Sequence, residues 1–182
     1  MSATAPVLTL WTIDATHTEA AFAVKHLMIA TVRGRFSEIQ GQVSFDPADL
    51  SSGSVNVSIN VASVDTREAK RDAHLRSADF FDVEKFPAMT FQSRRVQALK
   101  GSTFQLVGDL TLKDVTREVT LDVESQGLQA DPWGGERAGF SARTSINRKE
   151  FGLTWNVALE TGGIMVGEDV KITIDAELVK SK

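Results

Sequence analysis

Apolar and polar residues alternate with a period of two along most of this chain, and no other feature limits its fold as tightly. The clearest run is residues 54–64, with Val55, Val57, Ile59 and Val61 on one face and Asn56, Ser58 and Asn60 on the other. Side chains of an extended strand point alternately to its two faces, so such a run predicts a strand that buries one side. The pattern recurs over residues 8–14, 18–28, 88–95, 103–113, 117–128, 136–146 and 169–179. The last run puts Val170, Ile172, Ile174, Ala176 and Leu178 inward. Residues 31–46 also alternate, but the parity slips between Val32/Phe36 and Ile39/Val43/Phe45, which predicts a β-bulge or break near Ser37 and Glu38. Eight or more strands at hairpin-like intervals, each burying one face, make an antiparallel all-β protein. A sandwich and a closed barrel satisfy this pattern equally.

One stretch interrupts the alternation. Residues 65–91 are dense in alternating charge, and Glu68, Ala69, Asp72, Ala73, Leu75 and Arg76 suit a short helix capped by Thr66 or Asp65. Residues 77–82 form a second short turn ending in Phe80 and Phe81, after which Pro87 forces Phe86 out of the helical region. Set among strands, this crossover is either a plug over one end of the sheet or a solvated link whose phenylalanines complete the core.

Within this crossover, Asp65-Thr66, Arg71-Asp72-x-His74-Leu75, Asp79-Phe80-Phe81-Asp82 and Phe86-Pro87 with Phe91 closely resemble the central motif of the YceI family. Asp14-x-x-His17-Thr18, Phe22-x-Val24-x-His26 and Gly34-x-Phe36 precede it, and Gly108-x-Leu110-Thr111 and Ile146-x-Arg148-x-x-Phe151-Gly152 follow. The resemblance spans roughly residues 11–178, and spaced motifs in order are more specific than any one of them. Asp114 departs from it, standing in a turn where the family commonly has Gly. The resemblance implies a lipocalin-like eight-stranded antiparallel β-barrel with a short helical crossover. It also implies an open hydrophobic tunnel for a polyisoprenoid: an isoprenoid quinone, its prenyl precursor or a similar long-chain lipid.

Composition sets outer limits. The chain has 182 residues, 42% of them hydrophobic, enough for one well-buried domain over residues 8–182 behind a disordered lead at residues 1–7. A net charge of −4 and no basic stripe argue against a nucleic-acid partner, and no window reaches membrane-spanning length. With no cysteine, disulfides, thiolate metal sites and a cysteine nucleophile are excluded. The first residues lack a basic region and a sustained apolar run, so the expectation is a cytoplasmic protein, periplasmic only if a signal peptide has been removed. A homodimer is an open expectation.

The expected lining of the tunnel is Phe22, Val24, Phe36, Val57, Ile59, Phe91, Leu110, Phe140, Ile172 and Ile174, with Phe80 and Phe81 guarding the helical end. These faces are apolar and the chain has no Tyr, which suits a ligand with few hydrogen-bonding demands. His26 shares a face with Phe22 and Val24 and offers a polar handle, although a hydrogen-bonded core histidine reads the same way. Arg71, His74 and Arg148 are candidates for a headgroup, the arginines through paired donors. The plain alternative for the arginines is ion pairing to Asp72, Asp79 or Glu150, and His74 has Asp72 or Arg71 to orient it. His17 beside Asp14 and Thr16 reads as a turn residue. A zinc site from His17, His26 and His74 has no supporting spacing, so no metal and no cofactor is expected beyond the lipid cargo. No nucleophile elbow or phosphate loop is present, and Asp72–His74 is the one acid–base pair that catalysis on a bound lipid would use. A non-enzymatic binding, transport or storage role therefore leads. The alternatives are a stress-linked scaffold without ligand and an enzyme acting on the lipid.

Overall fold

In the structure, a computed structural model, residues 5–182 are described. Of the expected lead, residues 1–4 lie outside the described residues, while Pro6 and Val7 are exposed and Val7 N–H donates to Asp46 (2.8 Å). The strand segments are β1 (Thr9–Ile13), β2 (Glu19–His26), β3 (Ala30–Phe36), β4 (Ile39–Asp46), β5 (Asp49–Asn60) and β6 (Val64–Asp65). After the helix α1 (Ala69–Arg76) come β7 (Ala88–Lys100), β8 (Thr103–Leu112), β9 (Val115–Ala130), β10 (Glu136–Asn147) and β11 (Val166–Lys180).

Pairing runs β1–β4–β5–β7–β8–β9–β10–β11 and closes through β1–β11, a ring of eight antiparallel strands. The remaining segments continue three of these staves. Ile13 of β1 opposes Leu178 on β11, while Val24 of β2 opposes Val170 farther along the same strand. β3 then pairs with β2, and β6 with β3. The parity slip expected near Ser37 and Glu38 is the break between β3 and β4. It lets the strand bend while Phe36 and Ile39, on either side, both stay buried.

Two local expectations change. The run expected over residues 54–64 leaves the strand at Asn60, whose side-chain oxygen accepts from Ala62 N–H (3.1 Å) and starts a single 3-10 turn. Val61 is buried in that turn rather than along the strand face. The cap of α1 is Glu68, whose carboxylate accepts from the Lys70 and Arg71 amides, not Thr66 or Asp65. Arg67 takes a positive φ of 63°, with its N–H bonded to Asp65 (2.8 Å), so the chain turns once more before the helix begins. Thr66 instead donates through N–H and hydroxyl to Asp72 (2.9 and 2.6 Å).

The two ends of the barrel are built differently. At one, Trp11 stacks on Phe45 (centroids 5.1 Å apart), which meets Phe140 edge-on (5.6 Å), and Phe104 meets Phe140 in turn (6.4 Å). These rings floor the barrel. At the other, α1 and the turn carrying Phe80 and Phe81 lie across the opening, and Phe36 packs edge-on against Phe81 (5.7 Å). Close approach of the walls relies on Gly108. A Cβ there would stand 2.5 Å from both the Phe91 ring and the Gln92 carbonyl.

Candidate functional site

Between floor and helix lies a cavity of about 590 Å³, within the range of ligand pockets. The expected lining residues Phe22, Val24, Phe36, Val57, Ile59, Phe91, Leu110, Phe140, Ile172 and Ile174 all border it, and so do Phe80 and Phe81. Strand parity places them together. In each stave alternate residues turn inward, so one correct face assignment carries every residue of that run. Other inward residues carried the same signal without being singled out: Phe104, Leu106 and Leu121 alternate in phase with Leu110 and Val123. Trp155 and Met165 carried none. They lie in the irregular segment before β11, where no period applies.

Charged and imidazole groups in the wall gather at the helical end: Lys25 and His26 from the end of β2, and Glu68, Lys70, Arg71 and His74 on and before α1. His26 is half-buried there. Arg71 gives Nε to the Thr66 hydroxyl (2.7 Å) and Nη2 to the Thr66 carbonyl (2.8 Å), which leaves Nη1 without a hydrogen-bond partner among the described residues. The ion pair with Asp72 or Asp79 does not form. His74 is oriented by Asp79 (Nε2 to Oδ2, 2.8 Å) rather than by Asp72 or Arg71, and packs edge-on between Phe80 and Trp155 (5.1 and 4.6 Å). Asp72 and His74 are two positions apart on a helix and so face different ways, and Asp72 is taken by Thr66. The candidate acid–base pair therefore does not assemble.

Arg148 departs furthest from expectation. It is only 4% exposed, and Nε donates to Gly167 O (2.8 Å), Nη1 to Leu153 O and Trp155 O (2.7 and 2.9 Å) and Nη2 to Val166 O (3.2 Å). Burial pushes its pKa down, against a weaker opposing pull from Glu168. With four donors on backbone carbonyls, no donor pair remains for a headgroup, and no ion pair to Glu150 forms. Arg148 is a brace that ties the irregular segment to the start of β11.

The histidines do not converge on a metal. His17 lies in a separate cluster with Asp14 and Glu177, where Arg137 Nη1 donates to Asp14 (2.8 Å) and to Glu177. The guanidinium already supplies the positive charge an ion would bring. Hydrogen bonds from the Thr16 hydroxyl, then His17 and Arg137, hold Asp14 below the usual carboxylate range. The Asp14 hydrogen bond, then the charges of Asp14 and Glu177, raise the pKa of His17.

An eight-stranded up-and-down barrel with an apolar cavity and a helix across its mouth belongs to the lipocalin-like class. Residues 11–178 match the model of the YceI-like domain, and the chain belongs to that family. A UPF0312 protein of Staphylococcus epidermidis is 40% identical over 171 residues, 93% of this chain and 97% of the relative. Among solved structures, BcnA of Burkholderia cenocepacia matches with a TM-score of 0.77 at 25% identity, over 91% of this chain and 98% of that one. The YceI protein of Campylobacter jejuni matches at 0.74 and 31% identity, over 87% and 90%. A polyisoprenoid binding domain from Saccharophagus degradans, implicated in plant cell wall breakdown, shares the fold at 0.71 and 15% identity, over 96% and 100%.

Proposed function

We propose that this protein binds one long apolar lipid, a polyisoprenoid such as an isoprenoid quinone or its prenyl precursor, and carries or stores it without chemical change. The observation that carries this reading is the barrel cavity, largely apolar from its aromatic floor upward, with its charged groups gathered at one mouth. A ligand that fits has an unfunctionalised tail and one polar end. Each five-carbon unit taken from water contributes roughly 3–4 kcal/mol, so tail burial alone supports tight binding. In this reading His26, Lys70, Arg71 Nη1 and His74 meet the polar end, and Arg148 only shapes the wall. The dismantled Asp72–His74 pair favours carriage over catalysis, and the fold shared with the Saccharophagus domain agrees with an isoprenoid tail.

The test is native mass spectrometry of freshly purified protein, followed by solvent extraction and identification of what is released. A stoichiometric prenyl lipid is expected. A mass equal to the bare chain, unchanged after incubation with prenyl quinones, would leave the ligand-free scaffold as the better account. The same spectrum counts chains per particle and so tests the homodimer.

A further inference from the structure

The β2–β3 hairpin ends in Leu27, Met28 and Ile29, which are 37%, 58% and 84% exposed. Leu27 and Met28 both hold positive φ, 51° and 62°, a backbone that Gly or Asn adopts with less strain. Large apolar side chains at an exposed, left-handed hairpin tip serve neither the turn nor the core, and such a departure points to function. The tip adjoins the cavity mouth. Leu27 N–H donates to the carbonyl of Met165 (2.8 Å), and Met165, like the neighbouring Lys25 and His26, borders the cavity. Val157 on the facing segment adds a further exposed apolar side chain, 42% accessible.

Basic side chains predominate around this tip. Lys25 and Arg33, exposed on the hairpin opposite Thr31 and Ala23, and Lys70 on α1 form no ion pair among the described residues. The Glu68 carboxylate is engaged with α1 amides, and the facing segment before β11 brings one acid, Glu160. In a chain of net charge −4 this basic rim is a local feature.

We infer that the Leu27-Met28-Ile29 tip docks on an anionic lipid bilayer, inserting its side chains while Lys25, Arg33 and Lys70 face the headgroups, so that the cavity mouth opens onto the membrane surface. Apolar insertion and headgroup attraction act together at such surfaces. The inference rests on the lipid-carrier reading, because a cargo with a long apolar tail has to cross from bilayer to cavity without entering water.

Sedimentation with vesicles tests it. Wild-type protein is expected to pellet with vesicles of phosphatidylcholine and phosphatidylglycerol, and less with phosphatidylcholine alone or in high salt. The variant Leu27→Asn/Met28→Gly/Ile29→Ser removes the apolar groups while favouring the same turn, so an unchanged or raised Tm and at least about tenfold weaker vesicle binding are expected. Arg33→Gln weakens only the salt-sensitive part. Trp133→Ser, at the tip of the β9–β10 turn on the opposite end and 82% exposed in the wild type, leaves binding unchanged. Absence of vesicle binding, equal binding by the tip variant, or a tip-dependent dimer in place of membrane binding overturns the inference. Lipid found by extraction without vesicle binding refutes docking alone. Vesicle binding by a protein that takes up no prenyl lipid refutes the carrier reading instead.

Discussion

At the scale of single residues, adjacent positions have opposite fates. Val57 borders the cavity and Asn56 faces water. Val57→Glu is expected to abolish lipid uptake or folding and Asn56→Glu to be tolerated, as read by native mass and thermal melting; equal damage would break the face assignment. Gly108→Ala is expected to cost about 1–3 kcal/mol in urea denaturation, because the added methyl meets a backbone carbonyl that cannot step aside. His17 adds a pH-dependent contribution. A pKa raised on folding stabilises fully below its unfolded value and fades as pH rises through the folded one, whereas the lowered Asp14 loses its contribution on acidification. The Tm difference between wild type and His17→Gln is therefore expected to peak in mildly acid buffer, between carboxylate and imidazole titration, and to close on the alkaline side. A constant difference across that range would deny the Asp14–His17 linkage. These residue-level expectations divide by what the sequence can express. Val57 was legible from alternation alone, but the contact beneath Gly108 needs two strands brought together.

Elements show the same division. The strands, the break before Ile39 and the helical crossover follow from local pattern, since pleat and helix impose their own periods. The role of Arg148 does not, because its partners are carbonyls on Leu153, Trp155, Val166 and Gly167, groups that every residue carries and no sequence motif marks. A cation in a shared motif reads as a headgroup ligand until its donors are found occupied. Arg148→Lys keeps the charge but lacks the planar fork, and is expected to cost about 2–4 kcal/mol. It is also expected to speed amide exchange in the segment before β11; unchanged exchange there would remove the brace. The cap of α1 is Glu68 rather than Thr66 or Asp65 for a related reason: the left-handed turn at Arg67 delays the helix, and the sequence carries no glycine there to announce it.

For the whole molecule, closure and emptiness matter most. Eight staves enclose an interior that side chains fill in some barrels and leave hollow in others. Here the aromatic rings concentrate at the floor and the helical end, and the space between stays open. A ligand that binds only the folded barrel raises its stability by mass action. A prenyl lipid at about a hundredfold excess over its Kd is thus expected to add about 2.7 kcal/mol, read as an upward Tm shift that a short polar metabolite does not produce. No shift with any prenyl lipid would argue that the cavity serves another occupant.

The sequence by itself determined which residues alternate, hence which side of each strand is buried, and its motifs determined the family. Those are local properties, written in neighbours one or two positions apart. Tertiary structure alone decided that the ring closes on β1–β11 around open space and that Arg148 binds carbonyls. Each of these depends on distances between residues far apart in the chain or on backbone groups common to all residues, and alternation encodes neither.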